Sequence, residues 1–352
     1  MRLLPRSRPS WTTGWPTSKP SSFSAGERIA LSCAYNPKLV LPRRPIVQTR
    51  KLRKKSNTLP LLIIASPGII YLLINSYLPM FGVFLAFKDF NYFKGIFGSN
   101  WNGFENFRFL FRTRDALIMT RNTLAYNAVF IVLGTASAVL VAVLMFELGK
   151  KMRVRFFQSA LLLPNLLSWV VIGFIGYAYL NADTGFINKT LFKMFGLPTV
   201  SWYSTPGPWP IILVLVHLWK VTGISSVIYM ASISGIDKGI FEAAQLDGAS
   251  KLQQILRITI PMLKPTIIIL TLMGIGRIFY SDFGLFYQVP QNSGRLFDVT
   301  QTIDTYVYRG LMERNDVGMS AAAALYQSLV GFLLVLGANA LVRKLNPENA
   351  LF

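Results

Sequence analysis

The chain has 352 residues, 52% of them hydrophobic and only 14% charged, with a mean hydropathy of +0.43 and a formal charge of +21. Soluble domains carry about 25% charged residues and disordered chains lack this much apolar surface, so both classes are excluded. A single cysteine, Cys33, and a single histidine, His217, exclude an internal disulfide and leave no His/Cys metal set within one chain.

Residues 1–55 are rich in Arg, Ser and Pro and read as a basic, disordered tail. The residues before Val47 read as an overextended start, with a short basic leader beginning near Val47. No signal-peptide pattern follows, because the first apolar run is too long and lacks a small-residue cleavage site. Residues 56–352 form the second unit, a membrane domain. Crossing about 30 Å of hydrocarbon takes roughly 20 helical residues. Uncharged runs of that length occupy residues 56–87, 122–146, 156–180 and 317–342. A further run, 194–236, is broken only by Lys220, and another, 265–294, only by Arg277 and Asp282. These predict six helices near 59–86, 121–146, 157–180, 209–232, 263–288 and 319–342. Backbone in lipid must satisfy its own hydrogen bonds, and runs this long lack the period-two pattern of barrel strands. The expected fold is therefore an all-α integral membrane protein with six transmembrane helices.

Basic residues set the orientation. With the N-terminus inside, the inner segments hold 17 Lys or Arg in 65 residues, and the outer loops hold 11 in 90. Lys150, Lys151, Arg153 and Arg155, between the second and third spans, are the clearest part of this bias. Both termini are thus expected in the cytoplasm. The charge reads as a topology signal rather than as a nucleic-acid patch.

The segment 233–262, between the fourth and fifth spans, carries the most information. Asp237 can cap a short helix whose first turns hold Glu242, Ala243 and Ala244. The two alanines let another surface approach the backbone, and Glu242 and Asp247 place charge on the same element. Gly248 permits a turn that a Cβ would disfavour. Leu252, Ile255, Leu256, Ile258 and Ile260 then form an apolar stripe, and Pro261 and Pro265 mark entry to the next span. A short helix, a hinge and a second helix on the inner membrane face suit docking into a partner's groove.

This segment resembles the EAA loop of ABC importer permeases. The family pattern is Glu-Ala-Ala, two residues, Asp-Gly-Ala, then an apolar residue ten positions after the glycine, a spacer, and apolar-Pro. Glu242-Ala243-Ala244, Asp247-Gly248-Ala249, Ile258, Ile260 and Pro261 occupy those positions. Tyr77-Leu78-Pro79-Met80-Phe81-Gly82, Ala86-Phe87-Lys88-Asp89, Asn122-Thr123-Leu124, Leu163-Pro164, residues 281–288 and the tail 346–352 resemble the polysaccharide- and oligosaccharide-uptake branch. The resemblance covers roughly residues 56–352. It implies that Glu242, Ala243, Ala244, Asp247 and Gly248 form a cytoplasmic coupling helix that sits in a cleft of an ATPase subunit. It also implies a second related permease chain, two ATPase subunits, an extracellular solute-binding protein and alternating access. The location it implies is the bacterial cell membrane. The chain has no G-x-x-x-x-G-K-[ST] phosphate loop and no Ser-His-Asp arrangement. It is not expected to be an enzyme or to carry a cofactor, and ATP with Mg belongs to the partner ATPase. No nucleic acid is expected among its partners.

Ionisable groups inside a membrane are costly and are functional candidates by default. Lys220 lies about 22 Å from the inner loop and Arg277 about 18 Å along the fifth span, at ~1.5 Å per residue. His217, Trp219, Lys220, Arg277, Tyr280, Asp282 and Tyr287 together suit sugar rings and hydroxyls, and two cations could receive uronic-acid carboxylates. The alternative is a structural network in which Asp282 neutralises Lys220 or Arg277 across helices. His217 also suits a hydrogen-bonded interior residue, and Trp219 and Tyr280 suit packing. Asn122, Asn165 and Gln327 read as polar glue between helices, and Gly134, Gly173, Gly274 and Gly276 as sites of close packing. Pro67, Pro79 and Pro164 read as kinks. A stand-alone channel or an ion-coupled secondary carrier, using the charges of the fourth and fifth spans, is the rival to the importer subunit.

Overall fold

The computed structural model describes residues 58–108, 112–149 and 151–345. The basic tail, Val47, Lys150 and residues 346–352 lie outside the described residues. The described residues from Leu62 onward form one compact unit. Among the described residues, five helices are long and apolar enough to cross a membrane, and a bent pair brings the number to six if it counts as one span.

The first helix, α1 (Thr58–Leu72), does not run on as regular α-helix. It widens into a π turn over Leu73–Tyr77 and narrows to a 3-10 stretch over Phe81–Phe87. Pro79 explains the widening: its ring crowds the carbonyl four residues back and offers it no N–H. Pro67, by contrast, sits inside α1 without breaking it. The chain then forms a two-residue ribbon, β1 (Lys88–Asp89) antiparallel to β2 (Asn100–Trp101), with Lys88 opposite Trp101.

The long helix α2 (Arg114–Glu147) starts eight residues before the apolar run that announced it. Its 34 residues exceed the roughly 20 that hydrocarbon requires, so its ends reach beyond the apolar layer. Ser137 Oγ meets Thr222 Oγ1 at 3.0 Å where α2 crosses α5 (Trp209–Ser234).

The expected single third helix is instead α3 (Lys151–Leu166) and α4 (Trp169–Leu180), bent by 94° at Leu167–Ser168. Pro164 withdraws one backbone donor from the last turn of α3. Ser168 then restarts the helix by accepting from Val171 N at 3.3 Å. Beyond α5 lie α6 (Lys238–Leu246) and α7 (Lys251–Gln254), and a π turn over Ile255–Thr259 feeds α8 (Ile260–Gly276). The fifth span thus ends at Gly276 rather than near residue 288. A separate α9 (Phe283–Gln288) follows, capped by Asp282, and then α10 (Ile303–Met312) and α11 (Val317–Leu345).

Three apolar clusters hold these elements. One joins Tyr126 and Phe130 of α2, Ile172 of α4, Trp209 and Leu213 of α5, and Phe286 of α9. A second joins Ala86, Met119, Phe279, Ile303, Tyr306 and Ala322. A third, beside α6, joins Ala138, Ala142 and Val143 of α2 to Tyr229 and Ile233 of α5 and Leu263 of α8. Many other apolar side chains face outward, Ile64 at 77% and Leu166 at 80% exposed among them. Lipid is the natural solvent for such a surface.

Close helix approach falls on two of the four glycines singled out in the sequence, and on Gly223 besides. Gly173 lies where a Cβ would be 2.7 Å from the Gln288 carbonyl oxygen, and Gly274 lies against Ile131. Gly134 has open space and Gly276 only an ordinary contact. The tightest crossing is at Gly223, where a Cβ would stand 1.9 Å from the Leu161 carbonyl oxygen. Gly223→Ala is therefore expected to lower thermal stability in detergent by about 1–3 kcal/mol. The sign is diagnostic, because the same change in an uncrowded helix interior stabilises by roughly 0.5–1 kcal/mol. An unfolding midpoint at or above wild type would refute the backbone contact.

Candidate functional site: the loop after α5 and the polar centre of the bundle

Asp237 opens α6 as its cap, with Oδ1 accepting from Gly239 N at 3.0 Å. The helix closes in a Schellman arrangement: Ala249 N donates to the Ala244 carbonyl at 2.9 Å and Gly248 N to the Gln245 carbonyl at 3.1 Å. The reversal puts Gly248 at φ +77°, the left-handed region that favours glycine. Ser250 starts α7 with a capping box. Its Oγ accepts from Gln253 N at 3.3 Å, and Gln253 Oε1 accepts from Ser250 N at 2.8 Å. Buried Gln254 completes the corner by donating to the Ala249 carbonyl at 3.0 Å. The geometry of the loop is thus written in neighbouring residues.

One face of α6 seats on the bundle. Phe241 is half-buried, with its ring 5.8 Å from that of Phe146 on α2. Lys251 reaches Glu147 at the end of α2 at 3.4 Å. The other face is open. Glu242, Ala243 and Asp247 are exposed, and Leu246 is 89% exposed. Ala244 is half-buried and supplies a carbonyl to the turn. A small, rigid, acidic and apolar ridge thus projects from the end of the bundle. It is tied to α2 by contact and to α5 and α8 by the chain itself.

The intramembrane candidates divide into two groups. Lys220 is buried, at 8% exposure, and its Nζ donates to the carbonyls of Pro164 (3.4 Å), Asn165 (3.1 Å) and Leu167. These carbonyls lie at the α3–α4 bend, where the helix ends; the Pro164 carbonyl also accepts from Leu167 N at 3.3 Å. An ammonium has three donors and meets three acceptors here. A cation at a helix C-terminus is also favoured by the helix dipole. The same ammonium lies 5.0 Å from the Trp169 ring centroid. Trp169 in turn packs against the start of α9 that Asp282 caps: its ring edge occupies the space that a Cβ at Gly284 would need. Asp282 Oδ1 accepts from Gly284 N (3.1 Å) and Leu285 N (3.4 Å). Lys220 and Asp282 therefore meet through Trp169. Among the described residues no ion pair joins Asp282 to Lys220 or Arg277. The break in α3–α4 supplies backbone acceptors closer to Lys220 than any carboxylate.

The second group lies elsewhere. Arg277 caps the end of α8 and is exposed, and Tyr280 is 43% exposed with its hydroxyl 3.4 Å from Ser328 Oγ. Trp219 is 49% exposed on the outside of α5. His217 is half-buried and stacks on Phe130 at 3.7 Å and 9°, with Nδ1 buried and without a hydrogen-bond partner. Tyr287 stacks on Phe283 at 4.9 Å and lies 5.1 Å from Tyr308. Of the seven candidates, Lys220 and Asp282 share a neighbour in Trp169.

A polar network, of which only Gln327 was anticipated from sequence, joins the α8–α9 connection, α10 and α11. Asp304 Oδ2 accepts from Ser281 N (2.7 Å) and Ser281 Oγ (2.6 Å), while Oδ1 accepts from Gln327 Nε2 (3.1 Å). Gln327 also donates to the Phe279 carbonyl at 2.7 Å. Asn122 glues α2 to the short helical turn Phe297–Thr300 rather than to another span, donating to the Asp298 (3.1 Å) and Gln301 (3.0 Å) carbonyls. Arg309, buried beside Phe297 with its guanidinium carbon 4.0 Å from the ring centroid, donates to Asn292 Oδ1 at 3.2 Å. Burial lowers the Arg309 pKa from its ordinary value, and Glu313 opposes this. Asp304 and Arg309 sit in a segment that reads as an ordinary polar loop, and no sequence signal marks them.

The family of binding-protein-dependent transport system inner membrane components matches residues 131–347. Protein LplB of Bacillus subtilis (strain 168) is 32% identical over 295 residues, covering 84% of this chain and 91% of the relative. The polygalacturonan/rhamnogalacturonan transport system permease YteP of the same organism is 32% identical over 282 residues, covering 80% and 87%. A solved bacterial ABC transporter involved in the import of the acidic polysaccharide alginate aligns with a TM-score of 0.74 at 28% identity, covering 82% of this chain and 96% of that one. An alginate ABC transporter solved in complex with an alginate pentasaccharide-bound periplasmic protein gives 0.73 at 28% identity, covering 81% and 94%. With the match spanning more than half of its length and its apolar helices in place, the chain belongs to the inner-membrane components of binding-protein-dependent transport systems, as a multi-pass permease subunit.

Proposed function

We propose that this permease imports oligosaccharides as one of two related membrane subunits driven by two separate ATPase subunits. An extracellular binding protein delivers the sugar, and both termini of the permease lie in the cytoplasm. The observation that carries the reading is the α6 ridge. Its Phe241 face is anchored on α2, and its Glu242, Ala243 and Leu246 face is left open. A short helix with one seated and one open face is built to dock in a groove and to pass on its motion. The excess of basic residues on the same side as α6 supports a cytoplasmic partner. The sugar-transporting relatives support the cargo class.

ATP and Mg would act on the partner, and this chain makes and breaks no covalent bond. Movement of α6 would reach α2 through Phe146 and Glu147, and would reach α5 and α8 directly along the backbone. Mild-detergent purification of the tagged chain from native membranes, followed by mass spectrometry, tests the assembly. An ATPase and a second permease bearing a Glu-Ala-Ala and Asp-Gly loop are expected. Recovery of this chain alone, from membranes in which the candidate ATPase is expressed, would overturn the reading in favour of a channel or ion-coupled carrier.

A further inference from the structure

A cavity of 260 Å3 opens at the end of the bundle opposite α6. Tyr177 reaches it from the last turn of α4, Trp202 and Tyr203 from the turn before α5, and Gln291 and Ser293 from the connection after α9. The rings of Tyr177 and Tyr203 stand 5.6 Å apart and are inclined by 49°. They offer flat apolar faces, while Asn181, Gln291 and Ser293 supply amides and a hydroxyl. The walls are locked together. Ser293 Oγ donates to the Tyr203 carbonyl at 2.8 Å, Trp202 Nε1 to Asn188 Oδ1 at 3.3 Å, and Trp209 Nε1 to the Trp202 carbonyl at 2.7 Å.

Two features mark the cavity as more than a surface dent. Gln291 (φ +54°) and Asn292 (φ +47°) are successive non-glycine residues in the left-handed region. Strain of this kind concentrates at ligand sites. The Tyr203 hydroxyl is also buried without a hydrogen-bond partner. The lining contains no Lys, Arg, Asp or Glu. A uronate carboxylate placed here would leave water without gaining a cation, which is unfavourable. Aromatic faces with a few fixed polar groups suit a sugar ring, whose CH faces are apolar and whose edges carry hydroxyls. The volume falls just below the roughly 300 Å3 at which pockets for whole small ligands begin. It fits one ring rather than a chain.

Resting on the importer reading, we propose that this cavity is a subsite for one uncharged sugar ring of the incoming oligosaccharide, stacked on Tyr177 and Tyr203 at the mouth that faces the binding protein. It would hold one end of the saccharide while the rest enters the bundle.

The test uses the full membrane assembly in lipid nanodiscs, without the binding protein, and saturation-transfer NMR with galactotriose and trigalacturonate as probes. In wild type, transfer to galactotriose should exceed transfer to trigalacturonate. Tyr177→Ala should cut it at least fivefold, Tyr177→Phe should retain it, and Ser204→Trp, which places an indole at the cavity, should abolish it. Tyr177 is 44% exposed, so its loss leaves the fold standing, as an unchanged unfolding midpoint would verify. No transfer to either sugar in wild type would overturn the proposal. Equal transfer in wild type, Tyr177→Ala and Ser204→Trp would do the same, as would a preference for trigalacturonate. Unaltered transfer combined with weakened capture of the sugar-free binding protein by Tyr177→Ala would assign the cavity to protein docking and overturn it too. The parent reading is scored separately, by ATP-dependent uptake of a saccharide panel into proteoliposomes. Absence of all such uptake removes the importer reading and leaves the NMR result to be judged by itself.

Discussion

Lys220→Met is expected to destabilise the protein by at least ~3 kcal/mol and to loosen the bend between α3 and α4. The substitution keeps much of the side-chain volume but removes the ammonium that serves the Pro164, Asn165 and Leu167 carbonyls. A hydrogen bond to a charged group is worth about 1.5–3 kcal/mol, and buried acceptors left without donors add their own desolvation cost. Lys220→Arg keeps the charge and the donors, and should recover part of the loss. Two measurements check this. The first is the thermal unfolding midpoint in detergent. The second is the spin-label distance between positions 156 and 174, which carry exposed phenylalanines on the two sides of the bend. Replacing Cys33, the lone native cysteine, makes that labelling specific. The wild type should give one narrow distance, and Lys220→Met a broadened and longer distribution as the 94° bend relaxes. An unchanged midpoint and distance would free Lys220 from the backbone and return it to the list of groups that meet substrate.

Glu242→Lys is expected to lower ATP-dependent uptake about a hundredfold while leaving the protein folded and in the membrane. Glu242 is exposed on the open face of α6, and substitution at such a surface position changes stability little. Reversing a charge that is desolvated in a docked interface costs about 2–5 kcal/mol, which is a factor of ~30 or more in coupling. The comparison is between uptake into proteoliposomes of the whole assembly and binding of sugar-loaded binding protein at the opposite end. The first should collapse and the second should persist. Full uptake by the Glu242→Lys protein would remove α6 from the coupling path. The two variants separate by stability: Lys220→Met acts on the fold, whereas Glu242→Lys acts on a contact with another chain.

The loop was the most legible part of the molecule because its geometry is local. Asp237 caps from two residues away, Gly248 ends the helix through a bond of its own N–H, and Ser250 and Gln253 satisfy each other. Short-range rules need no knowledge of the rest of the chain. The spans were legible for a different reason: an uncharged run of some 20 residues has few places to go other than hydrocarbon. Hydropathy has no direction, however. The run 156–180 gives no sign that its two halves lie at 94°, beyond the single hint of Pro164. Nor does it reveal that the fifth span stops at Gly276, because the apolar letters continue into α9.

The amino-acid sequence by itself determined the membrane class, the apolar runs that supply the candidate spans, the capped helix around Glu242 and the kinship with binding-protein-dependent permeases. All of these depend on composition or on residues within about ten positions of one another. The tertiary structure alone decided what the charges do. Lys220 and the bend at Leu167 are 53 residues apart, yet the crossing at Gly223 brings them into contact. Asp304 finds Ser281 and Gln327 on two other elements. The identity of a buried charge says that it must have a partner, because desolvation would otherwise exclude it. Which partner it takes is set by which backbones can approach closely, and that is a property of the packed helices.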